Sequence, residues 1–144
     1  MRSCNDVMTM DPTCCLVSDP VSRAAEIMKT DDVGSVPVVD DASTKHLVGI
    51  LTDRDIVIQV IAGGKEAKNI KVEEIMSRNP ITCRPEEDIQ NAFDRMSQHQ
   101  VRRIPVVDGR DRVVGIIAQA DLATRLDRPE KLEKALEDIS QPIG

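Results

Sequence analysis

The sequence contains the same ordered set of short motifs twice. Met8 and Met76 lie 68 positions apart, whereas Gly49 and Gly115, further along, lie 66 positions apart. The difference indicates a loop that is two residues shorter in the second copy. A fixed register interrupted by one loop-sized deletion is typical of a duplicated folding unit. Because a unit repeated only twice tends to close on itself, we expect a pseudo-twofold axis and ligand-binding clefts between the halves.

Each half shows the same succession of helical and extended patterns. Apolar residues at helical spacing predict one helix in each copy, the first capped by Asp19, and β-branched runs predict two strands after it. A second helix should follow the strands and end before a glycine pair in the first copy. The order helix, strand, strand, helix indicates an α+β fold of two repeated units. The predicted helices are 20–30, 53–61, 86–99 and 119–126, and the predicted strands are 36–39, 47–51, 104–107 and 113–117.

The same patterns place the whole chain, residues 1–144, in a single module. We predict repeat 1 at 7–63, a linker at 64–74, repeat 2 at 75–126, and an amphipathic helix and tail at 127–144. This last helix has no counterpart in repeat 1. Its apolar stripe must be buried on its own module or across a dimer.

The composition argues against several classes of function. The net charge is −6 and Phe93 is the only aromatic residue, whereas nucleic-acid binding needs clustered basic residues and aromatic stacking platforms. No apolar run approaches the roughly 18 residues of a membrane span, and the first residues lack the apolar core of a signal segment. The sequence therefore predicts a cytoplasmic protein with neither a nucleic-acid nor a membrane partner.

The four cysteines are Cys4, Cys14, Cys15 and Cys83. They lack the spacing of a metal site, so we expect no metal and reduced, partly buried thiols. Cys15 and Cys83 occupy equivalent repeat positions, which leaves a disulfide between them open. A cysteine-based redox or metal sensor is one alternative function.

Ordered motifs in both halves resemble a known family. Segment 34–40 reads GSVPVVD and segment 48–55 reads VGILTDRD, while the second copy has VRRIPVVD at 101–108 and retains Gly115 to Asp121. Together they resemble a tandem pair of cystathionine-β-synthase (CBS) domains, or Bateman module, over about residues 7–126. The chain resembles in particular a stand-alone prokaryotic CBS-domain protein.

The resemblance implies a regulatory module that binds AMP, ADP or ATP, with S-adenosylmethionine and NAD as alternatives. In that family a Gly-x-x-Thr/Ser-x-x-Asp motif brings a hydroxyl to the phosphate and a carboxylate to the ribose. The first copy matches with Gly49, Thr52 and Asp55. The second has Ala118 in place of the hydroxyl residue, so its phosphate contact is lost.

The resemblance also implies that each cleft is built from both repeats. We expect site one to be formed by Thr52, Asp53, Asp55, Thr82, Arg102, Arg103 and Ile104. We expect site two to hold Ala118, Gln119, Asp121, Cys14, Gly34, Ser35 and Val36. The two arginines suit phosphate, since a planar guanidinium donates two parallel hydrogen bonds. Site one is therefore the expected nucleotide site, and site two is expected to be empty or to bind a nucleoside.

No catalytic set is recognisable in the sequence, and we expect no catalytic residue, no catalytic cofactor and no enzyme. The family resemblance implies a homodimer formed through helices, and the signal would pass through that dimer or an unknown effector protein. The alternative is a structural or interaction protein with degenerate ligand sites. In that case Asp53 and Asp55 would serve only as helix caps.

Overall fold

The computed structural model describes residues 2–120 and has the predicted α+β architecture. Its helices are α1 (Cys4–Val7), α2 (Val21–Asp31), α3 (Asp53–Ile56, continued by a π-helical stretch Val57–Ile61) and α4 (Ile89–His99); the 3₁₀ turns are Ala67–Asn69 and Val72–Glu74. Its strands are β1 (Thr9–Met10), β2 (Cys15–Leu16), β3 (Ser35–Val39), β4 (Leu47–Thr52), β5 (Ser77–Arg78), β6 (Arg103–Val107) and β7 (Val113–Ala118). The helix expected at 127–144, and all but the start of the one at 119–126, lie outside the described residues.

The chain divides into two compact units. The first-repeat unit contains Pro12–Pro80 and Arg110–Val113, and the second-repeat unit contains, of the described residues, 2–11, 81–109 and 114–120. Each unit therefore includes an opening segment that belongs, by sequence, to the other repeat. Sequence repeats and structural units do not coincide.

Each unit is built around its own sheet. The first-repeat unit has the strand order β2-β3-β4-β5, with β2 parallel to β3 and the other pairs antiparallel. The second-repeat unit has the order β1-β7-β6, and a parallel bridge from Cys83 to Val106 repeats the β2–β3 relation. The paired strands predicted in each repeat are thus confirmed, and the added edge strands β1 and β5 are too short to show a sequence period.

One long helix packs in the core of each unit. Helix α4 buries Ile89, Ala92, Phe93 and Met96, as the helical spacing predicts. Helix α2 buries Val21, Ala24 and Ile27, whereas Ala25 and Met28, which the spacing also places on the apolar stripe, are half-buried. Strand β3 is buried along its whole length, which explains its continuous apolar sequence. The two helices end in the same way, at left-handed residues Asp32 and Gln100 with φ of 54° and 52°.

The two long helices begin differently from one another. The prediction that Asp19 caps α2 is wrong. The helix starts at Val21, and the Asp19 carboxylate instead accepts a hydrogen bond from the Leu16 backbone N–H at 2.9 Å. Asp88 does cap α4, since its Oδ1 accepts from the Gln90 N–H at 3.1 Å.

The second helix of the first repeat is widened in its second half. It covers the predicted range, but the backbone N–H of Ala62 donates to the carbonyl of Val57 at 2.9 Å, five residues earlier. Such π-helical turns are rare, and they often occur at functional sites. No helix within residues 2–120 is long and apolar enough to cross a membrane.

A methionine from each opening segment lies on a glycine in the central strand of its unit. Met76 packs on Gly49, where an added Cβ would lie 2.7 Å from the Met76 Sδ and 2.8 Å from the Ser77 carbonyl oxygen. Met8 packs on Gly115, where an added Cβ would lie 2.8 Å from the Met8 Cγ and nearer still to its Sδ. Both methionines are buried. Glycine is therefore required at both positions so that the opening segment can approach the sheet.

We expect Gly115→Ala to lower the free energy of unfolding by about 1–3 kcal/mol, because its methyl group would overlap the Met8 side chain. Met8→Ala removes a buried side chain and should itself cost about 2–5 kcal/mol. The double variant has no overlap, so its loss should be smaller than the sum of the two single losses. Urea unfolding of the wild type and the three variants measures this coupling.

The Gly49 and Met76 pair provides the matched control. Here the Ser77 backbone carbonyl remains in the way after Met76→Ala, so the rescue of Gly49→Ala should be much weaker. Additive losses for Gly115 and Met8 would contradict this account of the glycine.

Candidate functional site

The first motif forms a capping box at the start of α3. The Thr52 N–H donates to Asp55 Oδ2 at 2.9 Å, and the Asp55 N–H donates to Thr52 Oγ1 at 3.2 Å. Two N–H groups that helix formation leaves unpaired are thereby satisfied. Asp53 is exposed, and its Oδ1 accepts from the neighbouring Arg54 N–H at 2.8 Å. The capping alternative is thus present in the structure, and it uses both side chains expected to bind the ligand.

Three residues predicted for site two lie beside this capping box. Ser35 pairs with Thr52 in the β3–β4 register, and the Asp53 N–H donates to the Gly34 carbonyl at 3.0 Å. Ser35 and Val36 are both buried. The first-repeat unit thus joins the motif end of β4 to the beginning of β3.

The second-repeat unit makes the equivalent contact with arginines. The Gln119 N–H donates to the Arg102 carbonyl at 2.8 Å, as the Asp53 N–H does to Gly34 in the first copy. Arg102, Arg103 and Ile104 therefore lie at the end of the sheet where β7 ends at Ala118 and Gln119 follows. Ile104 is buried, Arg103 is half-buried and Arg102 is exposed. Two arginines thus lie beside the second motif, in which Ala118 replaces the hydroxyl residue.

The two predicted sites each draw on both units. In site one, Thr52, Asp53 and Asp55 belong to the first-repeat unit, whereas Thr82 and the arginines belong to the second-repeat unit. In site two, Cys14, Gly34, Ser35 and Val36 belong to the first-repeat unit, whereas Ala118 and Gln119 belong to the second-repeat unit. Asp121 lies outside the described residues. The composition of each cleft therefore stays a prediction.

An ion pair that the sequence did not reveal holds Thr82 in place. Arg95 donates from Nη1 to Glu87 Oε2 and from Nη2 to Glu87 Oε1, both at 2.9 Å, and Nη1 also donates to the Thr82 carbonyl at 2.7 Å. The Arg84 N–H donates to the same carboxylate at 2.9 Å. This fork fixes the segment around Thr82. Nothing distinguishes Arg95 in the sequence from any charged residue on the outer face of a helix.

The ion pair shifts the titration of both partners. Hydrogen bonding to Arg95 lowers the pKa of the Glu87 carboxyl, against a smaller opposing effect of burial. Hydrogen bonding to Glu87 raises the pKa of Arg95. Both side chains keep some solvent contact, so screening limits the strength of the pair.

The cysteines do not form a metal site in the described part of the chain. Residues 2–120 contain no group of three or more histidine, cysteine, aspartate or glutamate side chains that could hold an ion. All four cysteines are free thiols. Cys83 is buried in the same cluster as Cys4, and its Sγ donates to the Pro105 carbonyl at 4.0 Å, whereas Cys15 is buried in the core of the other unit. Cys14, from predicted site two, donates from Sγ to the Pro12 carbonyl at 3.3 Å.

Comparison with known proteins matches both repeats to one family. The sequence model of the CBS domain matches residues 4–61 and again 72–128. The CBS domain-containing protein YhcV of Bacillus subtilis is 36% identical over 140 residues, which cover 97% of this chain and 96% of YhcV.

Solved structures show the same similarity. Hypoxic response protein 1 of Mycobacterium tuberculosis is 34% identical over 126 residues, 88% of this chain and 86% of its own length. A crystal structure of Hypoxic Response Protein I with two coordinated zinc ions aligns with a TM-score of 0.77, covering 86% of this chain and 98% of that one. The CBS domain pair of MJ0100, in complex with 5-methylthioadenosine and S-adenosyl-L-methionine, is 31% identical with a TM-score of 0.76, covering 85% of this chain and 94% of that one.

We expect the Glu87 and Arg95 pair to make stability depend on acid pH. Because the pKa of Glu87 is lowered in the folded state, its contribution is present above the unfolded-state pKa and is lost as pH falls through the folded-state pKa. Glu87→Gln should therefore lose less stability than the wild type between pH 7 and pH 3. Urea unfolding across that range measures the difference. The exposed neighbour Glu86→Gln is the control, and identical pH profiles for Glu87→Gln and the wild type would contradict the assignment.

Proposed function

Because this chain belongs to the CBS domain family, we propose that it is a non-catalytic regulatory module that binds an adenosine-containing ligand. AMP, ADP or ATP is the proposed ligand, with S-adenosylmethionine and NAD as alternatives. The output passes through its own dimer or an effector protein. We place the protein in the cytoplasm, since four free thiols are typical of a reducing compartment.

The observation that carries the proposal is the half-buried Thr52 and Asp55 box at the start of α3. Asp55 uses Oδ2 to hold the backbone, and within residues 2–120 its Oδ1 has no hydrogen-bond partner. Thr52 Oγ1 accepts from Asp55, which leaves its own hydroxyl hydrogen for a ligand oxygen. A carboxylate oxygen and a hydroxyl donor at the beginning of a nine-residue helical segment suit a ribose and a phosphate.

The second motif supports a difference between the two sites. Ala118 offers no hydroxyl, so the equivalent phosphate contact is missing there. Gly115 is retained, but its packing against Met8 accounts for that glycine without any ligand. We therefore propose that the first motif binds the nucleotide and that the second is empty or takes a nucleoside.

We further propose that Thr82, Arg102 and Arg103 complete the nucleotide site. The hydrogen bond from Arg95 to the Thr82 carbonyl, at 2.7 Å, supports this proposal, because it restrains the backbone at Thr82. Two adjacent guanidinium groups supply the positive charge that a phosphate requires. The complex of the MJ0100 domain pair supports an adenosine ligand in the family, since that relative is 31% identical.

We expect Asp55→Asn to weaken ligand binding while leaving the fold nearly as stable. The asparagine carbonyl can still accept from the Thr52 N–H, but the negative charge facing the ribose is lost. In thermal unfolding a ligand at 100 times its Kd stabilises the wild type by about 2.7 kcal/mol, or several degrees. That shift should be lost or strongly reduced in Asp55→Asn. The ligands compared are AMP, ADP, ATP, NAD, S-adenosylmethionine and GTP, on protein freed of co-purified nucleotide.

Asp6→Asn is the matched control. Asp6 forms the same kind of capping box with Ser3 at the start of α1, where its Oδ2 accepts from the Ser3 N–H at 3.0 Å. The Asp6→Asn variant should show the same ligand-induced rise in Tm as the wild type. Arg102→Gln, compared with AMP and with adenosine, tests the phosphate side, because only the AMP shift should fall. No shift with any ligand would overturn the proposal and favour an interaction scaffold.

We also propose that the module forms a homodimer through the widened helix. Val57, Ile58 and Ile61 are 53%, 49% and 68% exposed, which is unusual for three large apolar residues within one helical segment. A second copy presenting the same surface would bury them around a twofold axis. The effector could use the same face, and the test below separates the two cases.

We expect Ile61→Glu to convert a dimer into a monomer, because a charge would have to be buried in the interface. Light scattering after gel filtration measures the mass, and 15.9 kDa is the monomer. Val33→Glu is the control, since Val33 is also exposed but lies outside the widened helix. If the wild type is a monomer, or if Ile61→Glu remains a dimer, the homodimer proposal is wrong and the exposed face is assigned to another partner.

A further inference from the structure

Two cysteine thiols meet in the core of the second-repeat unit. Cys4 opens α1, and its N–H donates to the Glu87 carbonyl at 2.9 Å, while the Asn5 N–H donates to the Pro85 carbonyl at 2.9 Å. The N-terminal segment therefore runs along residues 85–87, next to Cys83. The side chains of Cys4 and Cys83 are both buried in one hydrophobic cluster of this unit, together with Val7 and Met8. They come from opposite ends of a 78-residue stretch, 5–82, that lies between them.

The two thiols differ from the other pair of cysteines. The neighbouring Cys83 thiol lowers the pKa of Cys4, and the Cys4 thiol, together with burial, raises the pKa of Cys83. The Cys83 Sγ donates to the Pro105 carbonyl at 4.0 Å, as a thiol does. By contrast, burial raises the pKa of Cys15 to about 12 in the first-repeat unit. Of Cys4, Cys15 and Cys83, Cys4 is the thiol whose pKa is lowered, and it shares its cluster with Cys83.

We propose that Cys4 and Cys83 are a redox-modification site that forms a reversible disulfide between the N-terminal segment and the second-repeat unit. The oxidant is a peroxide or a low-molecular-weight disulfide. The inference concerns a covalent state of the protein, and it does not depend on ligand binding.

The reaction with hydrogen peroxide balances in two steps. The Cys4 thiolate attacks one peroxide oxygen, so that an S–O bond forms, the O–O bond breaks and hydroxide leaves, to be protonated to water. The Cys83 thiol then attacks the Cys4 sulfur, losing its proton and displacing the second hydroxide as water. Two thiols are oxidised by two electrons to one disulfide, and the peroxide is reduced to two waters.

Access requires the N-terminal segment to open locally. The relative exposure of Cys4 is 0% and that of Cys83 is 2%, so no oxidant reaches them in the closed structure. Asn5, Asp6, Thr9, Met10 and Asp11 in this segment are exposed. Segments that bury few side chains open at a lower cost than the core does. After the segment closes again, the two sulfurs return to their contact and the second step can follow.

The cross-link should stabilise the protein by restricting the unfolded chain. A closed loop of this length reduces unfolded-state entropy enough to raise the Tm by roughly 5–15 °C. Dithiothreitol should reverse the change. A disulfide formed with poor geometry would add strain, and the rise in Tm would then be smaller.

The test uses the full chain treated with hydrogen peroxide under native conditions. Free thiols are then alkylated in denaturant, the intact mass is measured and the digested peptides are mapped. We expect two fewer alkylated thiols and one linkage that joins the Cys4 and Cys83 peptides. The higher Tm should appear on oxidation and disappear on reduction. Mapping of the wild type needs no variant to fold.

Variants assign the linkage independently. Cys4→Ser and Cys83→Ser should each abolish both the linkage and the rise in Tm, whereas Cys14→Ser, as control, should retain them. Four alkylatable thiols after oxidation would overturn the proposal. So would a linkage through Cys14 or Cys15, or disulfide-linked dimers on a non-reducing gel.

Discussion

The fold depends on the close approach of a methionine to a glycine, which occurs once in each unit. Met8 reaches Gly115 and Met76 reaches Gly49, so that the central strand of each sheet is covered by the opening segment of the other repeat. A larger residue at either glycine would push the segment away from the sheet. Short strands β1 and β5 can pair only after that approach has been made. The repeated Met and Gly positions are therefore one packing contact present twice.

This contact changes the interpretation of the ligand motif. The glycine of Gly-x-x-Thr-x-x-Asp is required by packing in both copies, so its presence says little about binding. Thr52 and Asp55 are also used in capping, whereas Ala118, at the end of β7 in the second copy, has no hydroxyl with which to form such a box. The capping box and the ligand proposal are compatible, because each side chain keeps a hydrogen-bonding group beyond those the helix uses.

Much of the fold could be predicted from the sequence, because its periodic patterns are strong. The buried runs of β3 and β6 and the apolar stripes of α2 and α4 each left a clear signal. The exchange of opening segments left none, since two-residue strands have no period and repeat boundaries do not show which neighbour a segment joins. The fork of Arg95 and Glu87 and the contact of Cys4 with Cys83 depend on tertiary geometry. Neither contact could be predicted from the positions of these residues in the sequence.

The exchanged opening segments have a consequence for synthesis on the ribosome. Residues 2–11 emerge before the elements with which they pack, because helix α4 and strands β6 and β7 emerge only after residue 88. Met8 and Cys4 must therefore remain unpacked while most of the chain is made. The first-repeat unit does not wait as long, since it lacks only Arg110–Val113 once Pro80 has appeared. Synthesis thus leaves residues 2–11 unpacked until the strands of the second-repeat unit have appeared.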